Sequence, residues 1–336
     1  MWSRAVRRRS GRPRSWLVVG VIVGVIVGVI VVVIIGVIVA GLVAAVTRRA
    51  GGDTAMGPDS TPPVVAQDLL TGPVGTFSFD PATGPRPDTP IEVSYYAPDG
   101  PLTDRPILVV MPGRGRNAAD YRDEWSAEAR RYGVVLLVPE LPSDDYPLEA
   151  YNLGNLVDGD GDPNPTTEWT FNLVEELFGY VAGELSSTVD GYHLYGHSAG
   201  AQFVHRFVLY QDDNRVIAAV AANAGWYTAP DPTVDFPYGT DNGPEVDLDR
   251  ALTSPLTILV GADDTDPDDD GLRTTGGAAN QGANRRERAD YVYARAGREA
   301  ADRGVELAWG FGVVDGAEHS NPQMVEAAAE VLFGPS

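Results

Sequence analysis

The chain has 336 residues, a formal net charge of −22 and no cysteine, which excludes disulfides, thiolate metal sites and a lipid-anchored N-terminal cysteine. All 25 basic residues are arginine; eight lie in residues 1–50, where there is no acid, and the remainder carries 17 arginines against 47 acids. Such a body repels nucleic acid and anionic lipid, and four histidines leave little material for a histidine-rich metal site.

The chain opens with a basic tail, 1–16, that holds six arginines. The stretch "LVVGVIVGVIVGVIVVVIIGVIVAGLVAAV" (17–46) follows without a charge. About 20 apolar residues span a bilayer, and a secretory signal core is shorter, about 7–15. An uncleaved single-pass anchor is therefore expected. The arginine bias puts the tail in the cytoplasm and the rest outside; cleavage of the segment would release the same domain. Gly20, Gly24 and Gly28 recur every fourth residue, a stripe through which two such helices could self-associate. Residues 47–70 are rich in Gly, Pro, Ser, Thr and Asp and read as a flexible linker. The domain 71–336 then begins. Its excess of acids fits an ordinary acidic surface or a protein adapted to strong salt.

From 75 onward, short apolar runs are separated by helical patterns. The runs are 75–79, 91–97, 106–111, 134–140, 192–196, 215–225, 256–263 and 305–314. Several are apolar throughout, the pattern of strands covered on both faces. Helices are expected over 117–133, with Asn117 as cap and Gly133 as stop, and over 167–185, 284–304 and 321–333. This alternation predicts an α/β fold, a mostly parallel doubly wound sheet with helices on both faces. The first two runs have no helix between them and predict an antiparallel hairpin at the edge.

"YGHSAGAQF" (195–203) joins a strand to a helix. Gly196-His197-Ser198-Ala199-Gly200 fits G-x-S-x-G, the tight turn that exposes a nucleophilic serine at a helix N-terminus. A serine hydroxyl needs a base and a group to orient that base. His193 lies in the strand, His197 in the turn and His205 on the next helix, so His319, in a loop after the last strand, is the candidate base. The run "LTILVGADDTDPDDDG" (256–271) offers Asp264 as the acid, with Asp266 as the alternative. Oxyanion donors are expected at the N–H of Ala199 and in the loop "MPGRGRN" (111–117), where Arg114 is the candidate. Trp226 and Tyr227, in the aromatic stretch 225–239, are candidate pocket walls for substrate. "DGDGDPNPTTEW" (158–169) resembles a calcium loop but has Pro163 where that pattern needs glycine.

Together "MPGRGRNAADYRDEW", "YNLGN", "YGHSAGAQFVHRF", "AANAGWYT", "GADDTDP" and "EHSNPQM" resemble the serine esterases of the α/β-hydrolase superfamily, in the group related to poly(3-hydroxybutyrate) depolymerases and feruloyl esterases. The resemblance spans roughly 90–335. It implies an α/β-hydrolase fold and a catalytic triad of Ser198, Asp264 and His319. It also implies an oxyanion hole near Arg114 and Ala199; the substrate does not follow from membership, and a small or polymeric ester is expected. Such chemistry needs no metal and no organic cofactor. Pro112-Gly113 stands where many of that group have His-Gly. A peptidase or amidase on the same fold, and a binding module with a vestigial site, are the competing expectations.

Overall fold

The structure, a computed structural model, describes residues 69–335. The expected tail, the anchor 17–46 with its glycine stripe, and the linker up to residue 68 lie outside the described residues. Among the described residues, no helix is long and apolar enough to cross a membrane.

Among the described residues, eight strands form one sheet: β1 (Val74–Phe79), β2 (Ile91–Tyr96), β3 (Ile107–Met111), β4 (Val135–Pro139), β5 (Tyr192–His197), β6 (Val216–Ala222), β7 (Leu256–Gly261) and β8 (Gly310–Val314). Their order is β1-β2-β4-β3-β5-β6-β7-β8. From β4 to β8 every pairing is parallel. The edge hairpin is present, with Val74 opposite Tyr96 and Phe79 opposite Ile91. β2 then joins β4 in antiparallel register.

Successive side chains of a strand point to opposite faces. Here both faces are covered. β3 sends Leu108 and Val110 into one core and Val109 and Met111 into the other. Among the described residues, the five long helices are α1 (Ala118–Tyr132), α2 (Asn172–Glu184), α3 (Ala199–Tyr210), α4 (Arg285–Arg303) and α5 (Asn321–Phe333). α1 and α5 cover the first face through Trp125, Ala129, Met324 and Ala328. α2, α3 and α4 cover the second through Leu177, Phe203, Phe207, Val292 and Ala296.

Three local expectations shift. Asn117 precedes α1, but its side chain makes no capping bond; its amide donates to Asp120 instead, at 2.7 Å. The helix expected over 167–185 is a 3-10 turn, Thr166–Glu168, followed by α2. Between them the Thr170 N–H donates to the Gly154 carbonyl and its hydroxyl to the Ala150 carbonyl, so the backbone there answers to the preceding loop. The last strand begins at Gly310 rather than near 305. The Ala308 N–H and the Trp309 indole N–H donate to Leu252 and Ala251, which ties this stretch to the short helix Leu248–Thr253.

Candidate active site

The parallel strands end on one edge of the sheet, where loops can gather side chains from distant parts of the chain. β5 ends at His197 and the chain turns at Ser198 into α3. Ser198 adopts φ 57° and ψ −111°, in the positive-φ half of the map that side chains avoid. The glycines on either side make the turn possible. A methyl on Gly200 would be driven into the Met111 carbonyl oxygen, and one on Gly196 into that of Gly200. The Ser198 N–H donates to the Ala222 carbonyl at 2.9 Å, which fixes the turn to β6. The side chain stays partly exposed.

The loop after β8 meets the loop after β7. The N–H groups of Ala262 and Asp263 donate to Val314 and Ala317, so the two loops run side by side and His319 faces Asp264. The His319 Nε2 lies 3.0 Å from the Ser198 Oγ. Its Nδ1 lies 2.9 Å from the Asp264 Oδ2. Asp264 is 4% exposed. Asp266, the alternative acid, is exposed and its Oδ1 accepts the N–H of Asp268. The structure thus brings Ser198, His319 and Asp264 into one hydrogen-bonded chain and leaves Asp266 outside it.

On the other side of the serine, Gly113 packs close. A methyl there would stand 3.5 Å from the Ser198 Cβ and 2.8 Å from the Tyr121 hydroxyl. Arg114 follows on the exposed surface of that loop. Ala199 opens α3, so its N–H has no acceptor within the helix. The loop is held from below: the Tyr151 hydroxyl donates to the Pro112 carbonyl at 2.7 Å, and the Arg116 guanidinium lies 3.4 Å above the Tyr151 ring.

Trp226 and Tyr227 are not brought to an open surface, contrary to the expectation of a pocket wall. They are 2% and 0% exposed. The guanidiniums of Arg206 and Arg273 lie 4.1 and 4.8 Å from the centre of the Trp226 ring. The Tyr227 backbone exchanges two hydrogen bonds with the Gln281 amide. The acidic loop at 158–162 closes on itself, with the Asp158 Oδ1 accepting the N–H groups of Asp160 and Asp162.

Several residues that shape the site were not singled out from the sequence. Asn223, fully buried at φ 54°, accepts the Gly261 N–H at 2.8 Å and donates to the Glu318 carbonyl at 3.2 Å. It joins the ends of β6 and β7 to the loop that carries His319. Asparagine is among the few side chains that tolerate this backbone, and that tolerance was the one signal available. His197 is buried, with its ring 4.9 Å from that of His319 and its Nδ1 3.0 Å from the Tyr121 hydroxyl. Burial, then the charges of His319 and Arg285, push its pKa well below that of an ordinary imidazole. It is a neutral neighbour of His319. Arg285, at the start of α4, contacts Asp264 from the side away from His319.

A solved poly(aspartic acid) hydrolase from a Sphingomonas species is similar at 40% identity and a TM-score of 0.74, over 77% of this chain and 98% of that one. A poly(3-hydroxybutyrate) depolymerase from Bordetella parapertussis is similar at 33% identity and a TM-score of 0.74, over 80% of this chain and 92% of that one. No family model and no curated relative matches the sequence.

Proposed function

From the premise that this chain belongs to the α/β-hydrolase superfamily, in the group of hydrolases that includes poly(3-hydroxybutyrate) depolymerase, we propose that it cleaves carboxylic esters by a Ser-His-Asp acyl-enzyme mechanism. The observation that carries this reading is the unbroken hydrogen-bonded chain from the Ser198 Oγ through His319 to Asp264. His319 takes the Ser198 proton as the oxygen attacks the ester carbonyl. Asp264 holds the Nδ1–H and so selects the ring tautomer that leaves Nε2 free to accept. The backbone N–H groups of Ala199 and Arg114 receive the oxyanion. Collapse of the tetrahedral intermediate passes the proton from His319 to the leaving alcohol. Water, activated by the same imidazole, then frees the acid and restores the serine.

A second reading keeps these residues and changes the bond to an amide. It is favoured by the 40% identity to a protein named as a hydrolase of poly(aspartic acid), a polymer joined by amide bonds. A panel of p-nitrophenyl esters of graded chain length, run beside peptide anilides on the full-length chain, separates the two. Turnover of the esters alone supports the first reading, and turnover of the anilides alone overturns it. In either case Ser198→Ala is expected to lower kcat at least about 10⁴-fold. A variant that retains activity overturns the mechanism.

The apolar segment 17–46 supports a membrane tether with the hydrolase domain outside the cytoplasm. Protease added to intact cells then removes the domain and spares the tail. Protection of the domain until lysis would reverse the orientation.

A further inference from the structure

Asp264 has a second partner that the acyl-enzyme scheme does not use. While its Oδ2 faces His319, its Oδ1 lies 3.3 Å from an Arg285 guanidinium nitrogen. Both side chains of that pair are almost fully buried, at 2% and 3% exposure. The other arm of Arg285 donates to the Asp269 Oδ1 at 2.7 Å, and that oxygen also accepts the Gly271 N–H. Asp269 is itself 31% exposed. Behind His319 the charges alternate from group to group: Asp264, Arg285, Asp269. A buried arginine between two carboxylates is expensive to desolvate, and packing alone would be served by an apolar side chain of the same volume.

We propose, resting on the hydrolase reading above, that Arg285 is a positioning residue. It holds the free oxygen of Asp264 so that the other oxygen faces His319, and with Asp269 it sets how readily His319 takes the serine proton. The arginine weakens the negative field that Asp264 exerts on the imidazole. Asp269 in turn weakens the positive field of the arginine. The Arg285 hydrogen bond holds the Asp269 carboxyl below the usual carboxylate range, so Asp269 stays charged beside the arginine.

Other charged or titratable groups face these residues. His197 stacks near His319 and is neutral. Arg288 lies one turn along α4 and feels the Arg285 charge. The Tyr227 hydroxyl feels Asp264, and burial keeps it protonated. Glu318 precedes His319 and is exposed. None of them bridges the two carboxylates as Arg285 does.

The experiment is the pH dependence of Ser198 labelling by a fluorophosphonate, measured on the full-length chain and two variants. It needs no knowledge of the natural substrate. Asp269→Asn leaves the arginine charge unopposed, so the midpoint of the acid limb falls. Arg285→Gln leaves Asp264 unopposed, so the midpoint rises. Each shift is expected to be about half to one pH unit. Opposite shifts support the inference, because a merely structural role gives loss of labelling at all pH values without moving the limb. Midpoints that move together, or by less than about 0.2 unit, overturn it. If Arg285→Gln does not fold, Asp269→Asn decides alone, since its partly exposed side chain is replaced by one of the same shape. A parent chain whose Ser198 is not labelled at any pH overturns the hydrolase reading itself, an outcome distinct from an immobile limb in a labelled protein.

Discussion

Ser198 holds a backbone conformation, φ 57° and ψ −111°, that costs a residue with a side chain about 1–3 kcal/mol. Ser198→Gly removes that strain and regains part of it as unfolded-chain entropy. The variant is expected to be about 1 kcal/mol more stable while losing activity, as read by urea denaturation beside an activity assay. A variant no more stable than the parent would show that the turn is unstrained. Gly200→Ala acts in the opposite sense, since its methyl meets the Met111 carbonyl; a loss of about 3 kcal/mol or more is expected in the same denaturation series. Asn223→Ala leaves the Gly261 N–H and the Glu318 carbonyl without their partner, a loss of about 2–3 kcal/mol. It also frees the loop that carries His319, so activity is expected to fall further than stability alone explains. The glycines and the serine were legible because their spacing states a steric requirement. Asn223 was not, because its two side-chain bonds reach residues far from it in the chain.

At the scale of elements, α4, capped at both ends, was bounded to within one residue at each end. α4 has Asn284 accepting the Glu287 N–H at its start and Gly304 in the left-handed conformation at its end. The Glu287 carboxylate in turn accepts the Ala283 N–H. Asn284→Ala is expected to cost about 1 kcal/mol. Because α4 begins with Arg285, the acid limb of Ser198 labelling should also broaden or move, whereas an equally costly cap loss on a helix that carries no site residue should leave it in place. α2 was placed too early because its first residues are apolar at helical spacing, while Thr170 bonds to the loop before it. The same is true of 305–309, whose apolar residues suit a strand while its polar groups are bound to the helix Leu248–Thr253. Periodicity reports which face is buried; it does not report where the backbone hydrogen bonds go.

Across the whole molecule, two titrations of stability follow from composition and burial. The acid excess of the body repels itself. Salt screens that repulsion, so the urea midpoint is expected to rise between about 0.1 M and 1 M sodium chloride; a flat or falling midpoint would remove self-repulsion as a factor. The second concerns histidine. Burial lowers the pKa of His193 to about 4, and His197 and His205 are pushed down for the same main reason. An unfolded imidazole titrates near about 6.5. Between those values the unfolded chain binds more protons than the folded one, so the stability from burying neutral rings is complete above about pH 6.5 and declines as the pH falls toward 4. The urea midpoint should therefore be lower at pH 5 than at pH 7.5. His193→Gln should show a smaller drop, and an equal drop in that variant would exclude His193 as a source.

The sequence by itself determined the eight apolar runs, the helices between them and the strained serine turn, because each rests on a local rule of periodicity, capping or steric exclusion. It also narrowed the candidate base to His319, since the other three histidines sit in elements that bury them. What only the tertiary structure decided is which neighbours meet. It separated Asp264 from Asp266 by the course of one loop, turned Trp226 and Tyr227 inward, and set Arg285 and Asp269 behind the acid. Those are contacts between residues far apart in the chain. Their partners are chosen by how the loops at one edge of the sheet pack together, and no short stretch of sequence contains that information.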